Sequence, residues 1–140
     1  PDATPLDAVG AEARRFLAEL PQTVSLTSRA GALLLCHGLG DNDMGGVRPD
    51  DEGYALANNF ELGALLADPR VELVVSGHTH RPMLRSFDGL TIVNAGTLYR
   101  EHDPGAVLLD LERGVATWHG LGPKRLRCEL GMLPEGSTRA

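Results

Sequence analysis

Two short apolar segments end abruptly in histidine, and this pattern constrains the fold more than any other feature of the chain. Ala32 to Cys36 is followed at once by His37-Gly38, and Val71 to Ser76 by Gly77-His78-Thr79-His80. Short continuous apolar runs are typical of strands that are buried on both faces. Since ligand sites in open α/β sheets form outside the carboxyl ends of the strands, these histidines are predicted to share one edge of a sheet.

The spacing of His78 and His80 suggests metal chemistry. In extended backbone, residues i and i+2 point to the same side. The two imidazoles are therefore expected to reach two neighbouring points about 3.5–4 Å apart, the separation of two-metal sites. His37, from the neighbouring strand, would add a third nitrogen. Two surface histidines in an ordinary loop would have the same spacing, so this pattern alone leaves both interpretations open.

The remaining segments predict an α/β chain that continues into antiparallel strands. Apolar residues recur at helical spacing from Leu6 to Leu20 and over Asp51 to Ala67, and the first of these helices is expected to face the core. Further strands are predicted at Thr23–Ser28, Met83–Phe87, Leu90–Asn94, Ala106–Leu111, Val115–Trp118 and Lys124–Leu130. This order favours a mixed β-sheet sandwich flanked by helices.

Composition narrows the class of protein. The 140 residues, 42% of them apolar, suit one globular domain. The 13 basic and 19 acidic residues give a net charge of −6, a poor match for nucleic acid, whose binding depends on Lys and Arg. No apolar run approaches the ~20 residues that cross a bilayer, so no membrane partner is expected. With only Cys36 and Cys128, we expect no disulfide framework and a reducing, cytoplasmic location.

The segment from Val71 to Pro82 resembles the Gly-His-Thr-His signature of the calcineurin-like metallophosphoesterases. Leu33 to Gly38 resembles the family's strand followed by His-Gly. Ile92 to Thr97 is similar to the strand and Asn-Pro-Gly-Ser turn of its bacterial phosphodiesterase branch, with Ala95 and Thr97 replacing Pro and Ser. Order and spacing also agree, which implies a metallophosphoesterase-like fold.

Three motifs of that family are absent from this sequence: Asp-x-His, Gly-Asp-x-x-Asp and Gly-Asn-His-Asp. In the family, all three precede the position of Pro1. The resemblance therefore implies that residues 1–130 are the C-terminal half of a metallophosphoesterase domain, and residues 131–140 are expected to be a flexible tail. The missing N-terminal half, or a second copy of this chain in a homo-oligomer, is expected to cover the exposed sheet.

The resemblance also implies a set of metal ligands. In the intact enzyme, His37 and His78 would serve one divalent ion and His80 a second, the metals being Mn, Fe, Zn or Ni. The absent half would supply the carboxylates and the histidine that protonates the leaving group, so no catalytic residue is assigned here. Neutral imidazoles offset none of the metal charge. This chain alone is therefore expected to hold at most one ion, weakly, and to be inactive.

The implied activity is hydrolysis of a phosphomonoester or phosphodiester by a metal-activated water. Arg81, Asn94 and Arg100 are the predicted substrate contacts, since arginine forks match phosphate oxygens. Both arginines could equally be solvated surface charges. The alternative function is a non-catalytic binding or scaffold module that kept the fold. A one-zinc enzyme using His37, His78 and His80 is a third possibility, though no general base is evident.

Four other residues are expected to have ordinary structural roles. His102 lies in a polar loop and His119 at a strand end, with no predicted part in the site. Cys36 should point to the opposite face of its strand from His37, into the core. Trp118 is expected to pack in the interior.

Overall fold

The computed structural model describes residues 5–28, 31–122 and 127–132. Within these ranges the strands are β1 (Thr23–Ser28), β2 (Gly31–Cys36), β3 (Val71–Ser76), β4 (Met83–Phe87), β5 (Leu90–Asn94), β6 (Gly105–Asp110), β7 (Val115–Gly120) and β8 (Arg127–Met132). The helical segments are a 3-10 turn at Leu6–Ala8, α1 (Ala11–Glu19), α2 (Tyr54–Ala57) and α3 (Phe60–Ala67).

The first five strands form one mixed sheet in the order β1-β2-β3-β5-β4. β2, β3 and β5 run parallel to one another, whereas β1 and β4 are antiparallel edge strands. The carboxyl ends of the three parallel strands, at Cys36, Ser76 and Asn94, therefore lie at the same edge of the sheet. The predicted mixed sheet and its common edge are confirmed.

The second sheet, β6-β7-β8, is antiparallel and packs on one face of the first. Leu33, Leu73 and Val93 of the first sheet form a buried cluster with Ala116 of β7. The opposite face carries the other core, in which Val74 and Ile92 are clustered with buried residues of α3 and of the loop after β2. Burial on both faces explains why β3 and β5 are so largely apolar, and the arrangement confirms the predicted sandwich.

The predicted hairpin of β4 and β5 has the expected bounds, with Asp88-Gly89 at its turn. Gly89 has a φ of +78°, a left-handed conformation that glycine adopts at no steric cost. β6 and β7 also pair as predicted, with bounds displaced by a residue or two. The last strand, predicted over Lys124–Leu130, is described over Arg127–Met132, and residues 124–126 of the prediction lie outside the described residues. At its other end the strand enters the predicted tail, whose residues 133–140 also lie outside the described part of the chain.

The predicted helix over Asp51 to Ala67 is wrong as a single element. It is divided into α2 and α3, because Asn59 caps the second helix: its Oδ1 accepts a hydrogen bond from Leu62 N at 2.9 Å. Tyr54 and Phe60, two of the apolar residues at helical spacing in this segment, are 83% and 85% exposed. Leu62 and Leu65 are the residues of α3 that are buried.

The predicted N-terminal helix is also interrupted, and its expected core contact is wrong. Gly10, a poor helix former, separates the 3-10 turn from α1. No residue of α1 is buried, and Phe16 and Leu20, which follows the helix, are 63% and 51% exposed. The apolar face of α1 is therefore left open by the described residues. Across those residues, no helix has the length and apolar character needed to cross a membrane.

Gly105 in β6 lies directly against the ring of Trp118, and this contact predicts the effect of adding one methyl group. A Cβ at Gly105 would overlap Trp118 Cε2 and Cζ2. We therefore expect Gly105→Ala to lower the free energy of unfolding by about 1–3 kcal/mol in a urea titration. The control is Gly63→Ala in α3, where a Cβ meets no heavy atom within 4 Å. This control should gain about 0.5–1 kcal/mol of stability, and equal effects of the two substitutions would contradict the packing.

Candidate metal centre

The polar residues that follow the parallel strands gather at the common edge of the first sheet. His37 directly follows β2, and His78 and His80 follow β3, while Asn94 is the last residue of β5. Backbone hydrogen bonds continue the sheet into this region: Gly77 N donates to His37 O at 2.9 Å, and Ala95 N donates to Ser76 O at 2.8 Å. The segments that carry the histidines are therefore held by the sheet.

The backbone at His78 and His80 is not extended, which corrects the expected arrangement. Their φ values are 58° and 61°, in the left-handed region that residues other than glycine seldom occupy. A tight turn precedes Thr79, whose N donates to Gly77 O at 2.6 Å. Such backbone costs of order 1–3 kcal/mol per residue and persists where surrounding contacts enforce it. The two side chains consequently diverge to different partners.

Asn94 supplies the contacts that enforce this turn. Its side chain is buried, and its Nδ2 donates to the carbonyl of Gly77 and to Thr79 Oγ1, the latter at 3.1 Å. Its Oδ1 accepts from Gly96 N at 2.9 Å. One buried carboxamide thus links the turn over residues 77–80, called the histidine turn below, to the turn after β5. Its position in the structure is that of a positioning residue, and substrate contact by Asn94 stays a prediction.

The loop that follows His37 packs against the histidine turn. Leu39 and Val47 are buried and fix the loop to the helical side of the sheet. Gly46 lies so close to the turn that a Cβ there would be 2.8 Å from Thr79 Cγ2. Asn59, the cap of α3, donates from Nδ2 to Gly46 O at 2.9 Å. Helix α3 therefore helps to set the position of Thr79 through this loop.

His37 and His78 form the first imidazole pair. Their ring centroids are 5.5 Å apart, with an angle of 74° between the planes. The rings follow adjacent parallel strands, as predicted from the two apolar runs. An edge contact of this kind brings the two imidazoles together in one small region at the edge of the sheet.

His80 pairs instead with His102, a residue that sequence reasoning left out of the site. The Nδ1 atoms of the two rings are 3.0 Å apart, and the ring centroids 5.2 Å. Tyr99 makes an edge contact with His102, at 5.0 Å between centroids. No spacing rule relates residues 80 and 102, because the loop between β5 and β6 brings His102 back to the histidine turn. The expectation that His102 lies apart from the site is wrong.

The donor set decides which metals these residues can hold. Among residues 5–28, 31–122 and 127–132, no three His, Cys, Asp or Glu side chains lie close enough together to bind one ion. The edge of the sheet that carries the histidines therefore offers two imidazole pairs, His37 with His78 and His80 with His102. Imidazole suits Zn²⁺, Ni²⁺ or Cu²⁺. A pair of oxygen-preferring ions would need carboxylates in addition to these imidazoles. The one-zinc site with three histidines is not formed, because His80 turns away from the other two toward His102.

The two predicted arginine contacts lie on the surface near the histidines. Arg81 Nη1 is 2.6 Å from Asp50 Oδ1, and both side chains are exposed. Arg100 is exposed in the loop between β5 and β6. Contact of either arginine with a phosphate stays a prediction. For Arg81, it would require the guanidinium to exchange or share its carboxylate partner.

Cys36, Trp118 and His119 are the remaining residues for which the sequence predicts a structural role. Cys36 is buried in the helix-side core, as predicted, and burial raises the pKa of its thiol, which favours the protonated form. Trp118 is buried against Gly105 and Gly96, also as predicted. Neither Trp118 Nε1 nor His119 Nε2 has a hydrogen-bond partner among the described residues.

A mixed sheet with histidines beyond the carboxyl ends of its parallel strands is the arrangement expected of a metallophosphoesterase-like fold. Residues 5–114 match the family model described as a calcineurin-like phosphoesterase superfamily domain, which is most of the chain. The chain therefore belongs to the calcineurin-like phosphoesterase superfamily. Members of this family typically bind divalent metal ions. No curated protein shows a significant match to the chain.

Solved structures share the fold at low sequence identity. The hypothetical protein PH1004 from Pyrococcus horikoshii OT3 is 18% identical with a TM-score of 0.65, covering 84% of this chain and 48% of that one. Vacuolar protein sorting 29 (Vps29) from Cryptosporidium parvum is 20% identical with a TM-score of 0.55, covering 78% and 56%. A single-site mutant of Vps29 from Entamoeba histolytica is 18% identical with a TM-score of 0.51, covering 81% and 63%. The chain thus spans between about half and two thirds of these proteins.

The Asn94 contacts predict a cost for removing the carboxamide. Asn94→Ala leaves the Gly96 N–H without its acceptor and removes one of the two donors to the Gly77 carbonyl, so we expect a loss of about 1–3 kcal/mol in the free energy of unfolding. Asn58→Ala is the control, because Asn58 is exposed and its side chain donates to Tyr54 O alone; it should change stability by less than about 0.5 kcal/mol. Urea titrations measure both variants, and equal stabilities would contradict the role of Asn94.

Proposed function

We propose that this chain is part of a metal-dependent phosphoesterase, to which it contributes imidazole ligands. The observation that carries the proposal is the pairing of His37 with His78, and of His80 apart from them, at the carboxyl edge of the sheet. This division agrees with the ligand assignment that the family resemblance implies: His37 and His78 for one ion, His80 for a second. Manganese as a metal of the intact enzyme, a phosphomonoester or phosphodiester as its substrate, and a cytoplasmic location are parts of the same proposal and rest on the sequence.

Each residue has a definite part in that proposal. A bound divalent ion supplies Lewis acidity and an activated water for attack on phosphorus. His37 and His78 offer neutral nitrogens to one ion, and Asn94 keeps the second of them on its strained backbone. Arg81, once released from Asp50, places a guanidinium beside the histidines for the phosphate oxygens. Carboxylate ligands and the acid for the leaving group would come from outside this chain.

Zinc binding by this chain tests the ligand assignment. We expect calorimetry to show at most one weak site. Loss of a residue that hydrogen-bonds to a metal ligand lowers metal affinity roughly 10–100-fold. His37→Ala and His78→Ala remove a ligand itself, so each should lower the zinc affinity by at least that factor. His119→Gln, on the second sheet, is the matched control and should bind as the parent does. Equal zinc affinity in all four proteins would contradict the assignment, provided circular dichroism shows that each is folded.

A second candidate function is a non-catalytic binding or scaffold module. The open apolar face of α1 favours it, and two of the structural neighbours are vacuolar protein sorting proteins by name. The zinc variants also separate the candidates in a hydrolysis assay of a chromogenic phosphodiester with Mn²⁺. The assay uses this chain and the complete gene product where that is longer. Activity that disappears with His78→Ala excludes the scaffold, and an inactive complete product favours it.

A partner surface is the remaining part of the proposal. Phe16, Leu17 and Leu20 expose the apolar side of α1, and Leu26 of the edge strand β1 is 51% exposed. A groove of about 810 Å³ also opens between β1, β2 and α3. Large exposed apolar patches on small domains mark interaction sites. We propose that the other half of the domain, or a second copy of this chain, covers it.

Self-association is the expected behaviour of this chain by itself. Light scattering after gel filtration should give a mass above that of the 14.9 kDa monomer. Phe16→Ser should shift the population toward the monomer, because it removes a large apolar side chain from the surface. Leu121→Ser, at a comparably exposed site that follows β7, should leave the mass unchanged. A monomeric parent chain would contradict self-association.

A further inference from the structure

The contact between His80 and His102 constrains which of their ring nitrogens carry a hydrogen. The two Nδ1 atoms are 3.0 Å apart, which is the ordinary length of a hydrogen bond. In neutral imidazoles, one ring nitrogen is a donor and the other an acceptor. One of these two Nδ1 atoms, and not both, must therefore carry the shared hydrogen, and the choice fixes the tautomer of both rings.

Only one of the two choices leaves His80 able to bind an ion. When His80 Nδ1–H donates to His102 Nδ1, the lone pair of His80 Nε2 is free. When His102 donates, His80 Nε2 carries a hydrogen and cannot act as a ligand. Histidines that bind metals generally donate their second N–H to a fixed acceptor, which orients the ring and raises its basicity. His102 Nδ1 lies within hydrogen-bond distance of His80 Nδ1, where such an acceptor would lie.

The loop between β5 and β6 holds His102 in position for this role. His102 N donates to Tyr99 O at 3.0 Å, which closes a turn, and the Tyr99 ring makes its edge contact with the imidazole. Tyr99 N donates in turn to Thr97 Oγ1 at 3.0 Å. Gly105 N donates to Thr97 O at 2.8 Å, so the loop is anchored where β6 begins. The imidazole of His102 is therefore presented by a turn that hydrogen bonds hold at both ends.

We propose that His102 is a positioning residue that accepts the Nδ1 hydrogen of His80 and so holds His80 with Nε2 available to a divalent ion. The proposal rests on the proposed function in one respect only, namely that His80 meets an ion. The tautomer itself is a property of the metal-free chain. It can therefore be measured whether or not the chain takes part in phosphate-ester hydrolysis.

The first test is ¹⁵N NMR of the imidazoles in the metal-free chain at about pH 8, where histidine is ordinarily neutral. In the parent chain, His80 should carry its hydrogen at Nδ1. In His102→Phe, which keeps a ring beside Tyr99 but removes the acceptor, His80 should become a mixture of tautomers. His102→Asn supplies an amide oxygen as acceptor and should restore the parent spectrum. His119→Gln is the control and should leave His80 unchanged.

The second test follows the His80 ring signals as Zn²⁺ is added to the same proteins, at concentrations above those at which calorimetry is expected to resolve its single weak site. The half-saturating Zn²⁺ concentration should rise roughly 10–100-fold in His102→Phe and return toward the parent value in His102→Asn. An unchanged His80 tautomer in His102→Phe overturns the proposal. Direct coordination of Zn²⁺ by His102 also overturns it, because His102 would then be a ligand. If the tautomer responds as expected but neither the parent nor any variant shows Zn²⁺-dependent shifts at His80, control of the tautomer by His102 stands and the proposed ligand role of His80 fails.

Discussion

The arrangement of the site depends on one buried carboxamide. Asn94 ends β5 with its side chain sealed from solvent, and it binds the turn that carries His78 and His80 as well as the turn at Gly96. Two left-handed histidines so close in sequence would be costly in an isolated loop. Here the cost is offset by hydrogen bonds that form only when β3 and β5 are paired. The geometry of the histidines is therefore a property of the whole sheet and cannot be assigned to the loop alone.

The two imidazole pairs differ in what they can do. His37 and His78 approach edge to face without sharing a hydrogen bond, so with respect to each other their ring nitrogens stay available to a ligand. His80 and His102 share a hydrogen bond, so one nitrogen of each is already engaged. The first pair can therefore offer ring nitrogens to a metal ion. In the second pair, the shared hydrogen bond fixes which nitrogen of each ring carries a hydrogen. Neither pair brings the negative charge that a dinuclear centre of hard ions requires.

Much of this fold could be predicted from the sequence, because burial on two faces leaves a strong apolar signature. The strands β2, β3, β4 and β5 follow their predicted bounds to within a residue, and His37 meets His78 for the reason that the apolar runs suggested. The helices were predicted less well. Asn59 interrupts one through a local cap, and the apolar face of α1 has no neighbour among the described residues, so periodicity alone was misleading for both. His102 could not be found, since its contact depends on a loop closing across the sheet.

The packing of Trp118 has a practical consequence. It is the single tryptophan of the chain, and from β7 of the second sheet it lies against Gly96, whose N–H donates to Asn94, the residue that holds the histidine turn. Its indole therefore senses two events at once: docking of β6 and β7 on the first sheet, and closure of the turn after β5. Intrinsic fluorescence can follow the assembly of this region during refolding without any label, because the dominant emitter already sits at the junction.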